Sequence, residues 1–408
     1  MQRLTTEMSR YNYWWFLWHS VFLALATSFI DVDTIMPSVI TGAGGGPFHM
    51  GLLVSIMLGG SSVSQLLFAT YLHRKSYKKA FLLIGINLRI LALIGLSVFF
   101  FLLKGLMGTG EVWFILALVS VFSFSGAFAN ISYIDMMGKS ILKGQRKSFL
   151  SLKQVVFSAG ILISAITAFW VLSLSEGPTS YGVLFILAAA FLLIASVGFW
   201  RIREVKGKVL PINGSLDFIK FIVKEIRERS QLRNYLLIIS SLGNILGLMA
   251  FMVLYARMNS PAQDIPVGSM LLLKVFGAVI AGSVLYYFSK KFKYGTLLYI
   301  AVLMALLLPL IALLSLNNPI IFMSVFFIGG VLITIYVVSM GGILLEISTK
   351  KNRALYAGAA GAGSIIPAIF SMVGGWVIHT YGFNAFFILF AMVVSGSLVF
   401  IRKLNCRK

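Results

Sequence analysis

The stretch Tyr13–Ile40 reads YWWFLWHSVFLALATSFIDVDTIMPSVI and carries two carboxylates inside an apolar run. From Trp14 to Ile30 it contains no Asp, Glu, Lys or Arg, and Asp31 and Asp33 then follow. A membrane-spanning helix needs about 20 mostly apolar residues, and a carboxylate inside one costs about 2.5 to 3.5 kcal/mol. The stretch therefore predicts a membrane span with functional acids. The alternative is that the span ends near Ile30 and both acids lie among the lipid headgroups.

The spacing of the two acids separates their predicted roles. At 100° per residue, Asp31 and Asp33 lie on opposite sides of a helix, and only Asp31 continues a polar stripe. The other members of that stripe are Ser20, Thr27, Thr34 and Ser38. We therefore predict that Asp31 faces a polar cavity. Pro37 has no backbone N–H and crowds the carbonyl of Asp33, which predicts a kink where that carbonyl and carboxylate meet. Both aspartates are candidates for binding a coupling ion.

Composition identifies the class of protein. The 408 residues are 59% hydrophobic and 11% charged with a mean hydropathy of +0.95, which excludes a water-soluble globule and predicts a polytopic membrane protein. The net charge of +22 does not indicate a nucleic-acid partner, because the basic residues cluster in short loops between apolar runs. One cysteine and four scattered histidines exclude an intrachain disulfide and show no metal-ligand spacing. With no catalytic or nucleotide-binding motif either, we expect no enzyme activity and no cofactor.

Hydropathy predicts twelve membrane spans, all of them helical. They lie near residues 14–37, 49–70, 80–103, 112–134, 150–174, 179–200, 234–256, 267–289, 295–315, 319–341, 355–380 and 383–401. The loops on the side of the N-terminus then carry 30 of the 34 Lys and Arg residues. By the positive-inside rule both termini are cytoplasmic. We expect an integral protein of a prokaryotic cytoplasmic membrane.

The longest soluble segment divides the chain into two halves. Residues 1–200 form the predicted N-terminal six-helix half, residues 201–233 a cytoplasmic linker, and residues 234–408 the C-terminal six-helix half. Within the linker, Ser215 can cap an amphipathic helix whose basic face suits the anionic inner leaflet. A solvated linker helix is the alternative. Repeated halves of this kind are typical of transporters with a site at the membrane midplane.

Several loop residues resemble the major facilitator superfamily over nearly the whole chain. After the second span, Arg74 and Lys78 match the superfamily pattern G-x-x-x-D-R-x-G-R-K, whereas His73 replaces its acid and Ser76 a glycine. Further similarities are the acid-then-arginine loops and an eleventh-helix pattern, which comprise Asp135 with Arg146, Glu346 with Arg353, and Pro367 with Gly374 and Gly375. The resemblance implies two pseudo-symmetric halves about a central cavity. It also implies a cytoplasmic gate at His73, Arg74, Asp135, Arg146, Glu346 and Arg353.

Polar residues inside the spans are candidates for the cavity. Lys274 lies on the extracellular half of the eighth span, as Asp31 and Asp33 do in the first, so an ion pair between these spans would close an outer gate. The alternative is that Lys274 snorkels outward, and Arg89 is expected to pair structurally or to snorkel inward. Uncharged polar residues either tie helices together or line the cavity. The cavity candidates are Gln65, Asn130, Asn244, Lys274 and Tyr336.

These features together predict a secondary active transporter that moves a small solute by alternating access. A proton is favoured over sodium as the coupling ion, because one cavity-facing carboxylate can cycle its charge. The few cavity charges favour a neutral, zwitterionic or amphiphilic solute, and the direction of transport is open. We expect a monomer whose partners are the small solute, the coupling ion and membrane lipid. The alternative is a transport-inactive membrane receptor or assembly partner with a transporter fold, which the departures at His73 and Ser76 would suit.

Overall fold

The computed structural model describes residues 4–73, 75–103, 109–174, 177–206, 223–259, 265–288, 292–315, 317–348 and 353–404. Within these ranges there are helices and no β-strand, which confirms the predicted all-α class. The earlier helices are α1 (Thr6–Thr27), α2 (Ile35–Gly42), α3 (Pro47–His73), α4 (Lys79–Leu102), α5 (Thr109–Ser140), α6 (Arg146–Leu174) and α7 (Pro178–Arg201). The later ones are α8 (Ser230–Leu242), α9 (Ile245–Met258), α10 (Val267–Tyr287), α11 (Tyr294–Leu314), α12 (Pro319–Ile347), α13 (Arg353–Gly363) and α14 (Ile365–Arg402). Two 3-10 turns lie at Ser28–Ile30 and Lys143–Gln145.

Eleven segments of the described chain are long and apolar enough to cross a membrane. The last of them, Gly358–Arg402, has 45 residues. One straight helix of that length would measure about 68 Å, roughly twice the hydrocarbon core of a bilayer. Gly382 interrupts the helical dihedrals with φ 81° and ψ 176°, a conformation that essentially only glycine adopts. The segment is thus long enough for the two spans predicted at 355–380 and 383–401, and counting it twice gives twelve.

Local sequence explains where several helices begin. The side chain of Thr5 accepts a hydrogen bond from the backbone N–H of Met8 and so caps α1. Asn318 caps α12 in the same way, accepting from the first free N–H groups of the helix. Pro319 then occupies the first helical position, where a missing N–H costs nothing. These caps set the starts of the two helices.

The chain forms two compact units by contact. The first unit comprises Met1–Asp31, Val63–Leu106 and Trp113–Ser215. The second comprises Val32–Ser62, Met107–Val112 and Leu216–Lys408. The residues that follow Asp31 therefore pack with the later helices of the chain. The predicted division at residues 200 and 233 stays a prediction, and residues 207–222 of the linker lie outside the described part.

Aromatic side chains dominate the interior of the first unit. In this unit α1 packs against α6 and α7, and α4 packs against α7. Phe16, Phe149 and Phe199 are fully buried, and the ring centroids of Phe149 and Phe199 each lie 6.2 Å from that of Phe16. Buried aromatic pairs in edge-to-face geometry add to the gain from apolar burial. The three helices α1, α6 and α7 are therefore held by a common aromatic core.

The second unit packs its helices around α12 and α14. α12 contacts α10 and α11, α14 contacts α8 and α11, and the short helix α2 packs against α9 and α10. Its largest buried side chains include Phe251, Phe322, Phe386 and Phe390. Large apolar side chains are also exposed on the outside of helices in both units, and Leu174 and Leu314 are more than 80% exposed. Such surfaces are stable in contact with lipid and not with water.

Candidate functional site

The first predicted span is broken at its two aspartates. α1 ends at Thr27, a 3-10 turn follows, and α2 begins only at Ile35. The backbone leaves the helical region at Asp31, where ψ is 124°, and Thr34 has φ −134°. Pro37 lies in the first turn of α2, where an N–H would have no intrahelical partner in any case. The sequence predicted a kink at this point, and the structure shows a complete interruption.

This interruption removes the geometric argument for Asp31. Asp31 shares a face with Thr34 and Ser38 only if the chain is helical, at 100° per residue, through to residue 38. The backbone is extended at Asp31, so the helical pattern does not give the directions of the later side chains. Thr34 and Ser38 are buried, and Asp31 is partly buried. A coupling role for Asp31 therefore stays a prediction that the helical stripe no longer supports.

Asp33 forms an ion pair with Lys274. The ammonium nitrogen of Lys274 lies 2.8 Å from Oδ2 of Asp33, and the two side chains are 11% and 18% exposed. Both residues belong to the second unit, in which α2 packs against the helix that carries Lys274. The structure thus joins two of the candidates from the sequence, and Asp33 rather than Asp31 is the acid in the pair. A charge-assisted hydrogen bond of this length offsets part of the cost of placing both charges among apolar helices.

Close helix packing holds Lys274 in place. A Cβ atom at Gly330 of α12 would collide with the backbone carbonyl of Lys274. One turn further along α10, a Cβ at Gly277 would collide with the carbonyl of Phe327. Glycine at these two positions lets the backbones of α10 and α12 approach until they touch. The ammonium group therefore projects from a rigid support.

A second helix break in the same unit lies beside Asn244. α8 ends at Leu242 and α9 begins at Ile245, and the side-chain amide of Asn244 donates to the carbonyls of Ser240 and Ser241 at 3.0 and 2.7 Å. Its carbonyl oxygen Oδ1 is buried and has no hydrogen-bond partner. The amide N–H₂ of Asn244 thus binds carbonyls of the preceding helix, and its carbonyl oxygen is an acceptor without a donor.

Tyr336 lies at the same break. A Cβ at Gly243 would lie 3.1 Å from the hydroxyl oxygen of Tyr336 and 3.1 Å from the ring of Pro367. Tyr336 is buried, and one turn later the hydroxyl of Ser339 is buried without a hydrogen-bond partner. The structure therefore places Tyr336 next to the residue that precedes Asn244. Whether either touches a solute stays a prediction.

In the first unit, Glu204 and Asp135 organise a network of lysines. Asp135 lies 3.1 Å from the ammonium groups of both Lys78 and Lys139, and Lys139 also lies 2.9 Å from Glu204. The carboxylate of Glu204 accepts from the backbone N–H groups of Lys78 and Lys79 at 2.5 and 2.9 Å. The network therefore joins the start of α4, the end of α5 and the segment after α7.

Of these residues, Asp135 was a candidate from the sequence, whereas Glu204 and Lys139 were not. A signal was present, because Glu204 is the one acid in the basic stretch Arg201–Lys206. Such an acid at the end of a span reads as an ordinary surface charge until the fold brings α4 and α7 together. Its side chain is only 6% exposed, which the sequence could not show.

The other predicted gate residues are not joined in the described part of the chain. Arg146 donates to the backbone carbonyls of Ile141, at 3.0 Å, and Gly138, so it caps the end of α5 and does not bind Asp135. Glu346 is exposed near the end of α12. Arg74, together with the side chains of Gln65, His73 and Arg353, lies outside the described part. Their predicted roles stay predictions.

Asn130 is the remaining cavity candidate. Its side chain is exposed on α5, and the described chain gives it no hydrogen-bond partner. Within the described residues no group of three or more His, Cys, Asp or Glu side chains could hold a metal ion.

Comparison with known proteins identifies the family. The family model described as Major Facilitator Superfamily matches residues 17–318, about three quarters of the chain. This chain belongs to the major facilitator superfamily. The resemblance seen in its loops is thereby confirmed, and the family indicates a membrane transporter rather than an enzyme.

Solved structures share the fold of this superfamily member at low sequence identity. A mutant of the nucleoside transporter NupG is similar with a TM-score of 0.67 and 13% identity, covering 96% of this chain and 98% of its own. A POT family transporter in complex with a thioalcohol-conjugated peptide gives 0.65 and 11%, covering 97% and 94%. A bacterial homolog of the human lysosomal transporter Spinster, inward-facing and unoccupied, gives 0.60 and 11%, covering 98% and 96%. A search of curated protein sequences found no match.

Proposed function

We propose that this protein is a secondary active transporter that moves a small solute by alternating access, and that the Lys274–Asp33 pair is its extracellular gate contact. The observation that supports this most directly is the 2.8 Å pair between a helix break and a neighbouring helix. A broken membrane helix leaves backbone groups free, and such breaks in transporters lie where ions and solutes bind. Because the chain belongs to a transporter superfamily, we infer that this pair breaks and re-forms during the transport cycle.

A proton is the coupling ion that this arrangement suits best. Protonation of Asp33 would remove one of the two charges and with it most of the attraction to Lys274. The ammonium group would then favour a state in which water or another acceptor reaches it, so the proton would shift the population toward an open gate. Sodium is the alternative, because the carbonyls around the break and the two aspartates offer oxygen ligands. Asp31 is the second acid that could carry the proton.

Uptake by proteoliposomes tests the function and ranks the two acids. The matched variants are Asp33→Asn and Asp31→Asn, which keep the shape and remove the charge. We expect Asp33→Asn to abolish accumulation driven by a pH gradient while solute-for-solute exchange persists, because exchange needs no release of a proton. Asp31→Asn is expected to be milder. Full gradient-driven accumulation by Asp33→Asn contradicts the coupling role, and loss only in Asp31→Asn moves that role to Asp31.

The same assay separates a proton from sodium and a transporter from a receptor. A sodium gradient at constant pH should drive no uptake by the parent protein. A parent protein that moves no solute under either gradient would favour the transport-inactive receptor or assembly partner. Assays with several chemical classes of solute are needed, because relatives at 11 to 13% identity show the fold and not the solute.

We further propose that both termini are cytoplasmic, on the strength of the 30 basic residues on that side. The single cysteine, Cys406, reports the orientation of the C-terminus. A membrane-impermeant maleimide should leave Cys406 unmodified in intact cells and modify it after the membrane is opened. Strong labelling of intact cells would reverse the orientation.

A further inference from the structure

Arg89 is a cation in the middle of a membrane helix of the first unit. It is the eleventh residue of α4, about 15 Å from the start of that helix. Its guanidinium carbon lies 4.1 Å from the ring centroid of Phe122 on α5, and its Nε is buried without a hydrogen-bond partner. A Cβ at Gly126 would lie 2.9 Å from that Nε, so glycine leaves the room that the guanidinium occupies. Within the described residues no carboxylate pairs with Arg89.

Lys153 is a second cation of this unit, and its partner among the described residues is neutral. Its ammonium nitrogen lies 3.1 Å from the hydroxyl of Tyr133 and 4.9 Å from the centroid of that ring. Tyr133 in turn packs against His19 of α1, with ring centroids 5.8 Å apart. Phenol and ring stabilise an ammonium group, but they do not neutralise it.

His19 of α1 lies beside Tyr133, the partner of Lys153. Its ring lies 3.9 Å from that of Phe199 by centroid, and its Nδ1 lies 3.3 Å from the carbonyl of Ala195. Arg89 at Gly126 and Lys153 at Tyr133 both lie against α5, seven residues or about two helical turns apart. Among the described residues, neither cation has a carboxylate partner.

Asn130 is an exposed amide on the same face of α5. Gly126, Asn130 and Tyr133 follow at intervals of four and three residues, so they lie on one face of α5. Asn130 is exposed and has no hydrogen-bond partner in the described chain. An amide at membrane depth must find a partner, and water in a cavity or a bound ligand would supply one to Asn130.

We propose that this face of the first unit is an anion-binding site, in which Arg89 and Lys153 hold the carboxylate or phosphate group of the transported solute, with Asn130 and Tyr133 beside it. The proposal rests on the proposed transport function and names its class of substrate. A bound anion would give Arg89 the acceptor that it lacks and would neutralise a charge that is costly in the membrane. A neutral solute would leave that cost in place.

The sign of the charge in the site can be measured without transport. In a Cys406→Ser background, which has no other cysteine, Asn130→Cys places one thiol on the face described above. We compare its rates of modification by sulfonatoethyl methanethiosulfonate, which is anionic, and trimethylammonioethyl methanethiosulfonate, which is cationic. Removing one cation should slow the anionic reagent and speed the cationic one. The ratio of the anionic to the cationic rate should therefore fall about tenfold.

Matched substitutions assign the effect to this site. Arg89→Gln and Lys153→Gln should each lower the rate ratio, and Arg89→Lys should retain it. Lys293→Gln, at an exposed position in the second unit, should leave it unchanged. Lys153→Gln serves as the independent variant if Arg89→Gln fails to fold. A thiol at residue 130 that reacts with neither reagent, or a ratio that neither substitution lowers, overturns the proposal.

Protection experiments then distinguish the sources of the anion. In phosphatidylcholine nanodiscs, benzoate or inorganic phosphate should slow the modification of Asn130→Cys, whereas benzamide, the neutral counterpart of benzoate, should not. Protection that requires phosphatidylglycerol and that neither soluble anion provides would assign the site to a lipid headgroup and overturn the solute assignment. Protection by none of these probes overturns it as well. These readouts need no transport, so a failure of the proposed function leaves them interpretable, and active transport with a failed labelling result rejects the anion site alone.

Discussion

In the described part of the chain, the second unit pairs a membrane cation with a carboxylate, whereas the first unit places one over an aromatic ring. In the second unit Lys274 meets Asp33 at 2.8 Å, and tight glycine contacts fix the lysine. In the first unit Arg89 lies over an aromatic ring with its Nε unsatisfied. A balanced pair can act as a contact that opens and closes, because breaking it costs free energy. A cation without a carboxylate partner can instead be neutralised by an anionic ligand.

The first unit does balance its charges where α4 and α5 meet the segment after α7. There Lys78 and Lys139 share the carboxylates of Asp135 and Glu204. Because Lys139 pairs with both carboxylates, the loss of one carboxylate leaves its ion pair with the other in place. The pair of Lys274 and Asp33 joins one ammonium group to one carboxylate at 2.8 Å, so the loss of either side chain removes this bond entirely. The three predictions below measure this difference, in order of decreasing effect.

The largest effect is expected for Lys274→Ala. The substitution leaves Asp33 as a charge without its partner at an 18% exposed site, and losing one member of a buried pair costs about 3 to 5 kcal/mol. The thermal midpoint in detergent should fall strongly, and labelling of the extracellular half should rise because the closed state loses its contact. Lys274→Arg keeps the charge and should largely preserve closure.

The control for this prediction is the double variant Lys274→Ala/Asp33→Ala. It removes both charges of this pair, so its thermal midpoint should recover toward that of the parent protein. A double variant as unstable as Lys274→Ala would show that the lysine acts through packing. Labelling of Lys274→Ala that is indistinguishable from the parent would remove the gate function.

The outcome for this pair also shows how far sequence reasoning reaches. Composition and hydropathy predicted an all-α membrane protein, and spacing of apolar runs predicted the spans, because the bilayer imposes its own length on a helix. Asp33 and Lys274 were recognised as costly charges from their position alone. The choice of Asp33 over Asp31 could not be predicted, because it depends on the backbone leaving the helix at residue 31.

Two further features lay beyond the sequence for a similar reason. Glu204 and Lys139 are 65 residues apart in the chain, yet they form an ion pair. They meet because α4 packs on α7, which brings the end of α5 close to the segment after α7. Gly126 looked like any small residue of a membrane helix, yet the guanidinium of Arg89 occupies the space beside it. Periodicity describes one helix at a time, whereas these contacts belong to pairs of helices.

An intermediate effect is expected for Glu204→Gln. Its carboxylate is 6% exposed and accepts from two backbone N–H groups as well as from Lys139. The amide keeps one acceptor oxygen and loses the charge, so we expect a loss of about 2 kcal/mol in stability. The measurement is the thermal midpoint, together with protease sensitivity of the segment after α7. Glu228→Gln, whose pair with Lys224 is 3.8 Å long and more than 60% exposed, is the matched control and should change neither. Equal effects of the two substitutions would contradict a structural role for Glu204.

The smallest effect is expected for Asp135→Asn, in the same network. Asp135 is 36% exposed and holds Lys78 and Lys139 at 3.1 Å, but Lys139 retains Glu204 when Asp135 is neutralised. Solvent screens an exposed carboxylate, so we expect a loss below about 1 kcal/mol. Raising the salt concentration from 0.1 to 1 M shortens the Debye length from about 10 to 3 Å and should remove most of the difference between Asp135→Asn and the parent protein, whereas the deficit of Glu204→Gln should persist. A salt-independent loss at Asp135 as large as that at Glu204 would show that the network has no reserve, and that its charges act as one indivisible unit like the pair at Lys274.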